Sequence, residues 1–365
     1  MQTSKLFLLL LLSCFVATIE GSKKQVSAMY VFGDSTVDPG NNNFIDSAFR
    51  SNFPPYGRDF VNQVPTGRFT NGKLGTDFIA SYLGLKDLLP PYLDPNLTDK
   101  EIVTGVSFAS AGSGFDPLTP TLGNVISIPK QLEYFKEYKK RLEGMLGNRK
   151  TEYHMNNAFF FISAGTNDYV INYFSVPIRR NYTPLTYGQF LLQHVKDFIQ
   201  NLWKEGARKI ALVGVPPMGC LPIVITLNSH NLFLERGCID KYSAVARDYN
   251  IMLQHELFLM QLNFSNGAKI SYIDIYEPLN NMIQSHENLV CCMCVLCVVL
   301  VGFDEVDHGC CGSGYIETTF MCNGFSLVCS DPSKFVFWDS IHPTEKAYFR
   351  LFMLARPKID ALINA

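Results

Sequence analysis

The sequence predicts an α/β domain: a mostly parallel five-stranded sheet with helices on both faces, in three α/β/α layers. Three observations predict it. Apolar runs at residues 29–32, 103–109, 158–163, 209–215 and 268–274 are rich in Val, Ile, Phe or Ala, as strands buried on both faces are. Helical periodicity lies between and after them, most clearly at 128–142, 187–204, 240–262 and 344–354, with Thr344 placed to cap the last of these. Long, Pro-containing connections occupy 39–72, 86–98, 175–186, 216–231 and 302–333. Loops of that length in a compact domain usually carry function, and open parallel sheets keep their chemistry at the carboxyl edge of the strands. No repeat or low-complexity linker divides the chain, so residues 28–365 read as a single domain.

The N-terminus reads as a targeting segment. Lys5 precedes an apolar run at 6–17, then small and polar residues through Ser22. This is the pattern of a secretory signal over residues 1–22, with cleavage between Thr18 and Lys24. The run is too short for a stable membrane span. An extracellular location follows, and Asn96, Asn181 and Asn263 each open an N-x-S/T glycosylation acceptor.

Cysteine usage agrees with that compartment. The chain has 11 cysteines, of which Cys14 lies in the signal. Cys220 and Cys238 flank one loop, and Cys310, Cys311, Cys322 and Cys329 cluster in another. These form an even set suited to disulfides, with connectivity open. A zinc site is the competing reading, but no C-x-x-C pair and no partnered histidine accompanies them, so no metal is expected. Cys291, Cys292, Cys294 and Cys297 fall in a continuously apolar run at 289–301, whose Cys294-x-x-Cys297 spacing lacks the helix N-terminus that a redox motif needs.

Composition narrows the function. Of 365 residues, 47% are apolar and 18% charged, with a formal net charge of −2. A substantial core is therefore available, and nothing electrostatic favours a nucleic-acid partner. Lys139-Lys140-Arg141 reads as a solvated helix face.

Four loop positions carry the chemistry. After the first strand, G-D-S places Ser35 at the sheet edge, although the same tripeptide also makes an ordinary turn. After the second, S-A-G-S-G offers Gly112, whose backbone N–H can approach a ligand closely. After the third, A-G-T-N-D offers the Asn167 amide as a donor to a developing oxyanion. Near the C-terminus, D-S-I-H sets Asp339 and His342 three apart, so that a carboxylate can hold the imidazole with Nε2 aimed outward. Aromatics in the long loops, among them Phe53, Tyr56, Tyr92, Tyr173 and Phe174, are placed to line an acyl or glycosyl pocket, to pack the core or to staple the loops.

The order Ser, Gly, Asn, Asp, His resembles the GDSL-type esterase/lipase branch of the SGNH hydrolases, particularly its large plant group. The resemblance rests on V-F-G-D-S-T-V-D-P-G-N-N-N (31–43), G-V-S-F-A-S-A-G-S-G (105–114), I-S-A-G-T-N-D (162–168), G-A-R-K-I (206–210), P-P-M-G-C-L-P (216–222), G-C-C-G-S-G (309–314) and V-F-W-D-S-I-H-P-T-E-K-A-Y (336–348). It implies a flavodoxin-like SGNH-hydrolase fold with Ser35 as nucleophile, His342 as general base and Asp339 as its orienter. The Ser35 N–H, the Gly112 N–H and the Asn167 side chain would form the oxyanion hole. It implies no cofactor, and a lipid or other small ester as substrate; the sequence is silent on oligomeric state.

Two departures stand out. Thr36 replaces the Leu of the family name, at a position that supplies no catalytic group. The run 289–301 interrupts a segment where the family passes directly from a helix end to a stretch like Gly302-Phe303-Asp304-Glu305. It reads as an unspliced intron or gene-model error, or else as a variant loop, and sequencing the transcript across residues 281–309 decides between them. The functional expectation is a secreted hydrolase of carboxylic esters. Its rivals are an acyltransferase or polysaccharide acetylesterase using the same residues, and a secreted protein that keeps the fold without turnover.

Overall fold

The computed structural model describes residues 26–231, 234–264, 267–284 and 302–364. The signal-like segment and the apolar run at 289–301 lie outside them. Four parallel strands, β1 (Met29–Gly33), β2 (Phe159–Ser163), β3 (Lys209–Val213) and β4 (Lys269–Ile273), pair in that order. Every strand therefore points its carboxyl end to the same edge, and the register sets Gly33 beside Ser163 there.

Among the described residues the expected five-stranded sheet is corrected to four strands. Residues 103–109 do run along the free edge of β1, where the Phe108 N–H donates to the Val31 carbonyl at 2.8 Å. They form isolated bridges only, to Val31 on one side and Pro91 on the other. Val103 closes a short helix, and Gly105 then passes at φ +99° so near β1 that a Cβ there would sit 2.1 Å from the Met29 carbonyl oxygen. Farther along, the Ser107 and Ala109 carbonyls accept from the Asn41 amide at 2.9 and 2.8 Å, and Ser107 Oγ takes the Ala109 N–H. Those two carbonyls face away from β1, which is bonded instead through the Thr104 and Val106 carbonyls and the Phe108 and Ser110 N–H groups, so the Asn41 amide covers the outer edge of the segment.

Helices in chain order are α1 (Gly75–Tyr82), α2 (Asp99–Val103), α3 (Ile128–Leu146), α4 (Asn148–Asn157), α5 (Pro184–Lys204), α6 (Pro222–Asn228), α7 (Asp240–Asn263), α8 (Tyr276–Gln284) and α9 (Glu345–Ile363). The periodic segments all appear, and the expected Thr344 cap accepts from the Ala347 N–H. Short helices escaped the periodicity: α4 reads N-R-K-T-E-Y-H-M-N-N and has almost no apolar stripe to detect. The last helix runs past the expected end at 354 and through Pro357 to Ile363, because Ile359, Leu362 and Ile363 bury against the sheet.

Alternation along the strands sorts the core into two layers. Tyr30, Phe32, Phe160, Ile162, Ile210 and Leu212 pack with α3, α5 and α7. Val31, Phe159, Phe161, Ala211 and Val213 face the other way, onto α1 and α9. A parallel pair, β5 (Glu305–Gly309) and β6 (Phe335–Phe337), leads directly to Asp339. The six clustered cysteines form Cys220–Cys238, Cys310–Cys329 and Cys311–Cys322. Among the described residues no helix is long and apolar enough to cross a membrane.

Candidate active site

Ser35 follows β1 by two residues, on a turn with little freedom. Gly33 adopts φ +142°, and a Cβ there would meet the Ser163 carbonyl oxygen at 1.9 Å. The Gln131 side chain grips both backbone groups of Gly33, accepting from its N–H and donating to its carbonyl at 2.9 Å each. The Asp34 N–H then donates to the Ser163 carbonyl at 3.0 Å. We predict that Gly33→Ala destabilises the fold by about 2–5 kcal/mol, from backbone strain plus the displaced strand end. Denaturant unfolding monitored by circular dichroism reads this directly, and a loss below about 1 kcal/mol would contradict the stated role of Gly33.

The C-terminal pair arrives from the opposite end of the chain. His342 Nε2 lies 2.8 Å from Ser35 Oγ, and His342 Nδ1 lies 2.8 Å from Asp339 Oδ2. Ser35 is 8% exposed, His342 3% and Asp339 fully buried. The ring of Phe69 packs against His342 with centroids 4.9 Å apart.

Asp339 is held on every side. Its Oδ1 accepts from the backbone N–H groups of Ile341 and His342 at 2.9 and 2.8 Å. Its Oδ2 accepts from Tyr56 Oη at 2.7 Å and Thr318 Oγ1 at 3.1 Å. Burial opposes the charge, but the His342 ring and these donors outweigh it and hold the carboxyl below its ordinary value. Asp339 is thus ionised across the neutral range and fitted to stabilise an imidazolium.

Of the roles open to the loop aromatics, Tyr56 takes core packing: it lies buried with its hydroxyl on Asp339. Tyr92 packs on Phe108, and Phe174 on Tyr242, partly buried against the core. Thr318 sits on the loop closed by Cys311–Cys322 and Cys310–Cys329, so those disulfides fasten one of the donors to Asp339.

Gly112 and Asn167 converge through Ser113. The Asn167 amide donates to the Ser113 carbonyl at 2.9 Å, and Ser113 Oγ donates to the Gly33 carbonyl at 2.7 Å. One amide N–H of Asn167 is used in this way, which orients the group and leaves the second to donate. Gly112 takes φ +85° with Phe49 where a Cβ would project. Asp168 accepts from the Phe115 and Asp116 N–H groups at 2.8 and 3.1 Å, tying the Asn167 turn to the Gly112 loop. Burial pushes the Asp168 carboxyl up to about 7.

Sequence reasoning passed over Asp38, Asn41 and Asn42, which build this edge. Asp38 accepts from the Gly40, Asn41 and Ala111 N–H groups at 2.7–2.9 Å. Burial pushes its carboxyl up to about 6 against those donors. The Asn42 amide donates to the Ala111 carbonyl at 2.9 Å. The available signal was the run D-P-G-N-N-N itself, whose Asp and Asn side chains habitually bind nearby backbone. Thr36 is also occupied: its hydroxyl donates to Asp34 Oδ1 at 2.7 Å and lies 2.9 Å from Ser163 Oγ.

A buried carboxylate, an imidazole and a hydroxyl in hydrogen-bonded line can deprotonate that hydroxyl as it attacks an electrophilic carbon. The comparisons with known proteins agree with this chemistry. Residues 29–355 match the family model described as GDSL-like lipase/acylhydrolase. A GDSL esterase/lipase of Arabidopsis thaliana is 56% identical over 345 residues, covering 94% of this chain and 89% of that protein. A second from the same plant is 42% identical over 359 residues, covering 96% of each. With a match across nearly the whole domain and identities well above the level at which a family is shared, the chain belongs to the GDSL-like lipases/acylhydrolases.

Proposed function

We propose that the protein is a secreted serine esterase that cleaves carboxylic esters through an acyl-enzyme. The observation that carries this reading is the hydrogen-bonded line from Asp339 through His342 to Ser35 Oγ. Ser35 Oγ attacks the ester carbonyl while His342 Nε2 takes its proton. The tetrahedral oxyanion meets the Ser35 and Gly112 N–H groups and the Asn167 amide. The C–O bond to the alcohol breaks, with His342 returning the proton to the leaving oxygen. Water then attacks the acyl-serine with His342 again as base, releasing the acid and restoring Ser35. A fluorophosphonate probe tests the assignment: it should label one site, mapped by peptide sequencing to Ser35. An unlabelled protein, or a label elsewhere, would favour the non-catalytic reading.

Secretion is part of the proposal. Three disulfides support an oxidising compartment. Asn96, Asn181 and Asn263 are all exposed and so open to glycosylation. The full-length chain expressed in plant cells should be recovered from the medium and gain electrophoretic mobility on endoglycosidase treatment. Retention inside the cell with no mobility change would refute this part alone.

A further inference from the structure

The Asn167 amide and the Gly112 N–H come from separate loops, and a charged cluster beside them joins the two. Asp116 lies four residues after Gly112 and is fully buried. Arg179 Nε and Nη2 donate to its two carboxylate oxygens at 2.7 and 2.6 Å, a two-point grip that fixes the carboxylate plane. Tyr187 Oη on α5 lies 2.9 Å from Asp116 Oδ2 and 3.2 Å from the carbonyl oxygen of Asp168, the residue after Asn167. The Asp116 N–H donates to the Asp168 carboxyl at 3.1 Å. Asp116 is therefore tied to the Asn167 turn through both its side chain and its backbone.

The chain delivers Arg179 to this point by doubling back. Residues Asp168–Ser175 wind as a wide π-helical turn, and Pro177–Arg179 makes a short helical turn after it. The segment thus starts beside Asn167 and ends on Asp116. Such π turns are uncommon and occur mostly at functional sites. Burial opposes the charge on Asp116, but the Arg179 guanidinium and the neighbouring donors outweigh it and hold the carboxyl below its ordinary value. Without Arg179 a buried anion would stand unpaired next to a second carboxyl group, that of Asp168, and the cluster would have to shift to relieve it. Arg179 itself keeps 24% of its side chain exposed, so its removal opens no void in the core.

We propose that Arg179 is a positioning residue of the reaction: through Asp116 and Asp168 it fixes the Asn167 turn, and so aims the Asn167 amide at the developing oxyanion. The inference rests on the serine-esterase reading and deepens it. The competing role, plain support of the fold, predicts a loss that does not depend on Asn167.

The test is a double-variant cycle between Arg179→Ala and Asn167→Ala, with kcat and KM for p-nitrophenyl acetate expressed per site labelled by a fluorophosphonate. Asn167→Ala should lower kcat about 10²–10³-fold, as loss of one oxyanion donor does. Arg179→Ala should lower it about tenfold or more, the scale on which a misplaced group acts, with KM little changed. In the Asn167→Ala background the same change should cost less than about threefold, because the group it positions is already gone. An unchanged kcat in either single variant would overturn the proposal. So would an Arg179→Ala loss equally large in both backgrounds, or one accounted for by fewer labelled sites, which marks folding alone. Should Arg179→Ala fail to fold, Arg179→Lys, which keeps the cation but not the two-point grip, enters the same cycle under the same criteria. Failure of the esterase reading looks different: wild type neither turns over the acetate nor takes the label at Ser35.

Discussion

Replacing Ser35 by alanine should lower kcat for a short p-nitrophenyl ester by about 10⁵–10⁶-fold, the scale on which triad nucleophiles act. The fold should survive, because among the described residues Ser35 Oγ bonds only to His342 Nε2, while the turn is held by Gly33, Asp34 and Thr36. His342→Ala should cost a similar factor, and the double variant little more, since a nucleophile without its base is as disabled as a base without its nucleophile. Circular dichroism and stopped assays with an active-site titrant measure both effects. Retention of more than about a hundredth of wild-type turnover in Ser35→Ala would remove Ser35 from the nucleophile's role.

Asp339→Asn should lower kcat by about 10⁴-fold, for a reason written in the hydrogen bonds. The backbone N–H groups of Ile341 and His342 both donate to Oδ1, so the carboxamide oxygen of Asn must take that place. Its NH₂ then occupies the Oδ2 position facing His342 Nδ1, Tyr56 and Thr318. The two hydroxyls can rotate to accept, so stability should change little. The imidazole cannot adapt without cost: a donor at Nδ1 forces the proton onto Nε2, the atom that must take the proton from Ser35. Fluorophosphonate labelling should slow in parallel with kcat. A kcat within tenfold of wild type would show that Asp339 does not set the tautomer.

Much of the site was legible because its parts are local. G-D-S, S-A-G-S-G, A-G-T-N-D and D-S-I-H each place a reactive group within a few residues of a strand end or helix cap, where backbone geometry alone confines it. The supports were not legible for the opposite reason. Tyr56 and Thr318 meet Asp339 across separations of 283 and 21 residues, and Gln131 meets Gly33 across 98. Nothing in a window around Tyr56 distinguishes a hydroxyl bound for a carboxylate from one bound for solvent. The fifth strand was only half legible: the apolar run at 103–109 does bond along β1, but as isolated bridges rather than a ladder.

The amino-acid sequence by itself determined the α/β class, the parallel order implied by buried strands with intervening helices, the even set of six cysteines and the choice of Ser35, Asp339 and His342 as candidate site residues. Those follow from hydrophobic periodicity and from residue types that few other contexts demand. The tertiary structure alone decided that the two ends of the chain meet at a 2.8 Å contact between Ser35 and His342. It also decided how the cysteines pair. Contacts between segments far apart in the chain depend on how whole layers pack, and packing is a property of shape that no stretch of sequence carries alone.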